Sequence, residues 1–166
     1  LELRREREER QRAEEALKAR EQQYRSLVEQ MNEGILSGDR ETRITFVNPK
    51  MQAILGYTEE ELLGKPFYEL MDPDLRAGYL ARIRLRHTGV SETYETILNR
   101  KDGRKVHMLI SAVPLRNADG EVIGSSAVMS DITERKLAEQ ALQESEAKFR
   151  SVFESMQDVF YRGDAQ

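Results

Sequence analysis

Residues 43–49, which read RITFVNP, carry the first of two signals that decide how this chain folds. Ile44 and Phe46 alternate with polar residues, as they do along a strand with one buried face. Asn48 can cap a helix, and Pro49 is favoured at the first helical position. The stretch therefore predicts a short strand that leads directly into a helix.

The second signal is the stretch 55–66, which reads LGYTEEELLGKP. Gly56 suits the left-handed residue that ends a helix, and Thr58 with Glu61 forms a capping box that begins another. The acidic run 59–61 then lies in a first turn, where it complements the helix dipole. Acid-base chemistry is the weaker interpretation of this run.

The elements on both sides extend this order. Asp72-Pro73 begins a longer helix that Gly89 ends, and a strand is predicted upstream at 34–38. Downstream, strands are predicted at 91–99, 104–115 and 121–130, separated by two Asp-Gly turns of the kind that marks hairpins. Two strands, three helices and a three-strand meander make an α+β domain with one sheet face buried under the helices.

The chain repeats itself when it is shifted by 125 positions, so that Glu9 meets Glu134 and Gly38-Asp39 meets Gly163-Asp164. The match continues beyond the charged helices into uncharged positions, which chance similarity of Glu- and Arg-rich helices does not explain. We therefore expect tandem copies, with residues 151–166 opening a second domain.

Residues 2–21 combine both charges without Gly or Pro and predict a long exposed helix. Apolar residues follow it at steps of three and four, interrupted by Arg20. The pattern favours a coiled-coil seam, with a lone solvated helix as the alternative. Its members, which we call the seam, are Ala13, Leu17, Tyr24 and Leu27, and they recur at Ala138, Leu142, Phe149 and Val152.

Residues 22–133 resemble the PAS family. The resemblance rests on the stretches 43–49 and 55–66, on RKDG at 100–103, and on DIT at 131–133 followed by ERK. It implies a PAS fold: a five-stranded antiparallel sheet with helices on one face, flanked by coiled-coil-type connector helices. It also implies that a signal leaves the domain through Asp131, Ile132 and Thr133. One of Arg100 and Lys101, with Lys101 favoured, would pair with Asp131 across the sheet.

The resemblance further implies a small cavity, which in some relatives holds haem, flavin or a metabolite. Ordinary core packing is the default explanation for most of its candidate lining residues. The candidates come from the predicted inward faces: Ile44, Phe46, Met51, Ile54, Leu63, Phe67, Met71, Tyr79, Ile83, Met108 and Ile110.

The sequence predicts neither haem nor flavin, and no metal site or catalytic residue. His87 and His107 are the only histidines, without ligand spacing between them, and His87 beside a helix end is poorly placed as a haem ligand. The chain has no cysteine for covalent flavin photochemistry, although noncovalent flavin binding stays open. The basic run that includes Arg82 and Arg86 on the longest of the three helices is interpreted as a solvated face.

Composition restricts the partners and the compartment. Acids outnumber bases by 30 to 26, for a net charge of −4, which does not favour a nucleic-acid partner. No apolar run approaches the length of a membrane span, and the absence of cysteine fits a reducing compartment. We expect a cytoplasmic protein, or the cytosolic portion of a membrane receptor.

The predicted organisation is a connector helix at 1–23, a PAS domain at 24–131, an exit helix at 132–150 and the start of a second domain at 151–166. The predicted function is that of a sensor and relay module in a parallel homodimer. It would control an output domain of the same polypeptide, such as a histidine kinase or a cyclic-dinucleotide enzyme. The alternative is a structural dimerisation and relay module that binds nothing, and an enzymatic role is not favoured.

Overall fold

A computed structural model describes residues 2–163, with side chains described for 3–157. The α-helices are α1 (Glu2–Gln30), α2 (Pro49–Leu55), α3 (Glu59–Leu62), α4 (Pro73–His87) and α5 (Thr133–Gly163), and a 3-10 turn spans Phe67–Leu70. The strands are β1 (Gly34–Asp39), β2 (Ile44–Val47), β3 (Glu92–Asn99), β4 (Lys105–Arg116) and β5 (Val122–Asp131).

The five strands form one antiparallel sheet in the order β2-β1-β5-β4-β3. The first and last strands along the chain, β1 and β5, are therefore neighbours at its centre. α1 ends just before β1, and α5 begins just after β5, where Gly34 pairs with Met129. Both connector helices consequently join the domain at the same end of the sheet.

The predicted capping signals are present. Asn48 caps α2, and Gly56 follows it with φ 76° in the left-handed region that favours glycine. Thr58 and Glu61 form the complete capping box of α3. Asp72 precedes α4 without capping it, because its carboxylate accepts hydrogen bonds from Asn99 and Lys105 instead. Asp72 therefore fastens the start of α4 to the β3–β4 hairpin.

One face of the sheet is buried. Val106, Met108, Ile110 and Ala112 alternate inward along β4, and Tyr94 and Leu98 do so along β3. Residues of α2, α3 and α4 pack against them, including Met51, Leu62 and Ile83. The α+β architecture predicted from the sequence is thus confirmed.

The exit helix is longer than the predicted connector, since α5 runs without a break through position 150 and on to Gly163. Position 151 corresponds to position 26 of the first copy, which lies within α1, so a helix there leaves the start of a second domain a prediction. The repeat of β1 would begin at position 159, near the end of the described residues, so the described part of the chain does not test it. The last predicted positions, 164–166, lie outside the described residues.

Candidate functional site

Hydrogen bonds join the end of β5 and the start of α5 to the neighbouring strand β4. The Ile132 amide donates to the His107 carbonyl at 2.9 Å, and the His107 amide donates to Thr133 Oγ1 at 3.0 Å. The Thr133 amide donates to Asp131 Oδ1 at 2.9 Å. Three consecutive residues thus fix the start of α5 to β4 through backbone and short side chains, which limits its freedom to pivot.

A second set of contacts fastens the first turn of α5 to β3. Arg135 Nη2 lies 2.9 Å from Glu95 Oε1, and Lys136 Nζ lies 2.5 Å from Glu95 Oε2. The hydrogen bond from Lys136 is the largest cause that lowers the pKa of Glu95, and the charges of Lys136, Arg135 and His107 act in the same direction. Glu95 therefore stays ionised and tethers both cations at neutral pH.

The predicted partner of Asp131 is wrong. Lys101 Nζ lies 2.5 Å from Glu61 Oε1, which joins the β3–β4 turn to α3, and Arg100 Nε lies 3.6 Å from Asp102 within that turn. The Lys101 amide also donates to the Leu55 carbonyl. These contacts hold the β3–β4 turn against α2 and α3. The carboxylate of Asp131 instead accepts a hydrogen bond from the nearby Thr133 amide.

The start of the domain has a corresponding anchor in Asn48, which is 0% exposed. Its Oδ1 accepts from the Ile35 amide at 2.8 Å and the Met51 amide at 3.0 Å. Its Nδ2 donates to the carbonyls of Val28 at 3.2 Å and Glu33 at 3.0 Å. One side chain therefore joins the end of α1 to β1 and α2, a wider role than the capping predicted from the sequence.

The incoming and outgoing segments are also bonded directly to each other. Ser130 on β5 donates to Glu33 Oε1 at 2.8 Å, between the last strand and the residues that follow α1. This contact spans the point where both connectors meet the sheet. The residues that follow α1 and those that precede α5 are therefore linked by one hydrogen bond, through which a displacement of α1 can act on α5.

The predicted cavity residues separate into two groups. Nine of the eleven are buried and belong to the hydrophobic core, in which the rings of Phe67 and Tyr79 lie 5.2 Å apart. The predictions for Phe46 and Leu63 are wrong, because these residues are 40% and 43% exposed. The nine are Ile44, Met51, Ile54, Phe67, Met71, Tyr79, Ile83, Met108 and Ile110.

A β-bulge explains Phe46. The β1–β2 register passes from Ser37 opposite Phe46 to Gly38 opposite Ile44, which leaves Thr45 as an extra residue. An extra residue reverses the alternation beyond it, so Val47 is buried in place of Phe46. Leu63 is exposed because it lies in the turn that follows the single turn of α3, and Leu62 is the buried member of the pair.

The basic residues of α4 are not a uniformly solvated face. Arg86 is 2% exposed and donates to Glu92 at 2.8 Å, and Arg82 lies 2.5 Å from the other oxygen of that carboxylate. The guanidinium of Arg82 also lies 4.2 Å from the ring centroid of Tyr94. The prediction that these arginines face solvent is therefore wrong for Arg86.

His87 lies at the last residue of α4 and is half-buried outside the core cluster. Partial burial, and then the nearby charges of Arg40 and Arg86, lower its pKa. Within the part of the chain that the structure describes, no three His, Cys, Asp or Glu side chains group as metal ligands. None of the described helices is long and apolar enough to cross a bilayer.

The sheet and helices of the described residues have the arrangement of the PAS class, and the comparisons agree. The chain matches the PAS fold over residues 22–132 and therefore belongs to the PAS family. The PAS domain of an HTR-like protein from Haloarcula marismortui superposes with a TM-score of 0.65 at 23% identity, covering 74% of this chain and 99% of that one.

Curated relatives are larger signalling proteins. The chain is 26% identical over 122 residues to the signal transduction histidine-protein kinase AtoS of Escherichia coli K12, covering 72% of this chain and 19% of AtoS. It is 31% identical over 144 residues to the sensor histidine kinase TmoS of Ectopseudomonas mendocina, covering 84% of this chain and 15% of TmoS.

A third relative is the probable diguanylate cyclase DgcE of Escherichia coli K12, 28% identical over 130 residues, covering 76% of this chain and 12% of DgcE. The chain thus spans less than a fifth of each of these three relatives. It is a PAS domain homologous to segments of sensor kinases and of a probable cyclase.

Proposed function

We propose that this chain is the sensing and relay unit of a larger signalling protein whose output domain is a histidine kinase or a cyclic-dinucleotide enzyme. The proposal rests on the exit contacts, in which Asp131, Ile132 and Thr133 bond the start of α5 to β4. Bonds of this kind convert a small change in the sheet into a change in the direction of a helix more than twenty residues long. The homology to sensor kinases and to a probable cyclase supports the choice of output.

We further propose that the unit works as a parallel homodimer. The seam residues Leu17, Tyr24 and Leu27 are 60%, 58% and 56% exposed on α1, and Leu142 and Phe149 on α5 are 61% and 78% exposed. Apolar residues at steps of three and four on a long helix are typical of a coiled-coil interface. Parallel pairing would keep both domains level, so that rotation or sliding of the helices passes to both outputs.

The cytoplasm, or the cytosolic side of a membrane receptor, is the compartment we propose. A chain without cysteine is compatible with a reducing environment, and histidine kinases and cyclic-dinucleotide enzymes use cytosolic nucleotides.

A ligand-free relay module is the second candidate. The observation that favours it is the buried core, because nine predicted cavity residues belong to one hydrophobic cluster. Such a module would transmit changes from α1 to α5 through Asn48, Glu33 and Ser130 without a cue of its own.

Replacement of Asp131 tests the relay. In the parent protein, Asp131→Ala should uncouple output from stimulus, and the melting temperature should fall only slightly because the side chain is exposed and makes one local bond. Hydrogen exchange of the present chain should become faster in residues 133–141 and stay unchanged in β4.

The matched control is Asp119→Ala, an exposed aspartate in the β4–β5 turn, which should alter neither output nor exchange in α5. Normal regulation in Asp131→Ala would contradict the relay. A general loss of protection across the sheet would show that the residue is structural instead.

A further inference from the structure

Two hairpin turns of the sheet have the same backbone geometry, and each contains an Asp-Gly pair. In the β3–β4 turn, the Gly103 amide donates to the Arg100 carbonyl at 3.0 Å. In the β4–β5 turn, the Gly120 amide donates to the Asn117 carbonyl at 3.0 Å. The two glycines have φ angles of 83° and 80°. A difference in reactivity between the two pairs therefore comes from the side chains around them.

An Asp-Gly pair can rearrange without an enzyme. The glycine amide nitrogen attacks the side-chain carboxyl carbon of the aspartate, and the amide proton leaves with the carboxyl hydroxyl as water. Water then opens the resulting cyclic succinimide at either carbonyl, which gives back aspartate or gives isoaspartate. The reaction requires a protonated carboxyl group that is free to turn towards the amide, and glycine hinders the attack least because it has no side chain.

The carboxyl group of Asp102 is not free to turn. Its Oδ1 accepts a hydrogen bond from the Arg104 amide at 3.0 Å, and its Oδ2 accepts from Arg104 Nε at 2.9 Å and Nη2 at 2.7 Å. The side-chain hydrogen bond from Arg104 is the largest cause that lowers the pKa of Asp102, and the Arg104 amide is the next. The carboxyl group is therefore held in place and ionised at neutral pH.

Asp119 has no corresponding restraint. The residue is exposed, and its carboxylate has neither a hydrogen bond nor an ion pair among residues 3–157. The position after the glycine, which is Arg104 in the first turn, is Glu121 in the second, and one carboxylate cannot donate a hydrogen bond to another. Asn117 Nδ2 donates to the Glu121 carboxylate at 3.1 Å instead of to Asp119. The side chain of Asp119 can therefore rotate towards the next amide.

The β4–β5 turn is also connected to the end of α4. Arg116 Nη1 donates to the Gly120 carbonyl at 2.8 Å. A Cβ atom on Gly89 would lie 2.5 Å from Arg116 Nη2, so this guanidinium group packs directly against the turn that follows α4. Isoaspartate lengthens the backbone of the β4–β5 turn by a methylene group, which displaces the Gly120 carbonyl from Arg116.

We propose that Asp119 is a site of spontaneous isoaspartate formation, and that Arg104 protects Asp102 from the same reaction. The two turns present the same backbone to the reaction, so the contrast between them isolates the effect of the arginine. The β4–β5 turn lies at the end of the sheet away from α5, because β5 runs from this turn to the exit. The modification site is therefore separate from the contacts of the proposed relay.

Incubation of the folded chain at neutral pH for several weeks tests the proposal. Chromatography separates each Asp-Gly peptide of a proteolytic digest from its isoaspartyl isomer, and electron-transfer fragmentation identifies the isomer. Isoaspartate should form at least about fivefold faster at Asp119 than at Asp102, because Arg104 holds the Asp102 carboxylate ionised and in place. In guanidinium chloride, where both turns are unfolded, the two rates should become nearly equal.

Exchange of the residue after the glycine provides matched variants. Arg104→Glu gives the first turn the sequence Asp-Gly-Glu and should raise the rate at Asp102 at least about threefold. Glu121→Arg gives the second turn the sequence Asp-Gly-Arg and should lower the rate at Asp119 by a similar factor. Arg84→Glu, on the exposed side of α4, changes the net charge equally and should leave both rates unchanged. Thermal melts establish that the variants are folded.

Equal rates at the two pairs in the folded chain, or no isoaspartate at Asp119, would overturn the proposal. A difference that persists in guanidinium chloride would assign the contrast to the local sequence and would overturn the protection by Arg104 in the folded turn. Unchanged rates in both exchange variants would do the same.

Discussion

Asn48 illustrates how much one side chain can organise. A carboxamide has two donor hydrogens and one acceptor oxygen, and here the oxygen serves two amides while the nitrogen serves two carbonyls. Neither Asp nor Ser supplies the same set of donors and acceptors. Four backbone groups therefore require an asparagine at this position.

Asn48→Asp should destabilise the domain by about 3 kcal/mol, because a buried carboxylate would face the carbonyls of Val28 and Glu33 without donating to them. Chemical denaturation measures the change. The control is Asn117→Asp, where Oδ1 likewise accepts two amides in an exposed turn. Its Nδ2 donates only to the exposed Glu121 carboxylate, and solvent screens the repulsion that the new carboxylate would meet, so the cost should stay below about 1 kcal/mol. Equal losses in both variants would remove the special role of Asn48.

At the scale of elements, the first turn of α5 is held by charge as well as by backbone bonds. The carboxylate of Glu95 faces Arg135 and Lys136 of α5 and His107 of β4. Its pKa is lowered in the folded protein, so the tether is fully present above the ordinary pKa of 4.5. The tether is lost as the pH falls below that value through the lowered pKa.

A spin label on α5 should detect this loss. The chain has no cysteine, so Ala141→Cys provides a unique site for the label. Label mobility should be constant from about pH 8 to 5 and should rise below about pH 4.5 as Glu95 is protonated. With Glu95→Gln the label should be mobile throughout. A pH response that survives in Glu95→Gln would assign the effect to other carboxylates, such as Asp72 with Lys105.

The elements themselves could be predicted from the sequence because their signals are local. The capping box at Thr58, the left-handed Gly56 and the Asp-Gly turns each act within a few residues. The bulge at Thr45 and the left-handed Thr42, with φ 67°, carry no such signal, since both depend on how β1 and β2 are paired. The cavity assignment of Phe46 failed because this pairing changed the face that the residue occupies, whereas that of Leu63 failed because the residue lies just after α3.

The candidate site was predicted less completely than the fold. The resemblance indicated Asp131, Ile132 and Thr133, whose role in the relay stays a prediction, but the partner of Lys101 depends on the position of α3, which no spacing indicates. The burial of Arg86 was missed because an arginine among arginines on a helix is usually solvated. The carboxylate of Glu92, which pairs with Arg86 and offsets the cost of burying its charge, lies on β3.

At the scale of the whole molecule, the exposed seam leads to a prediction about assembly. Light scattering should give the mass of a dimer for the present chain, and Leu17→Gln with Leu27→Gln should reduce it towards the monomer mass of 19.2 kDa. Leu85→Gln removes a leucine that is 55% exposed on α4, outside the seam, and should leave the dimer intact. A monomeric parent chain at high concentration would count decisively against the dimer.

Because α5 is unbroken, the proposed relay would depend on the direction in which the helix faces at its far end. Each residue of an α-helix turns the chain by about 100°, so one inserted residue downstream of Thr133 would rotate everything after it about the helix axis by that angle. Seven inserted residues would restore the original orientation about the helix axis to within about 20°. Between the sheet and Gly163, the length of this connector therefore specifies an orientation as well as a distance, and the proposed relay predicts that changes in its length should be tolerated only in near-whole numbers of turns.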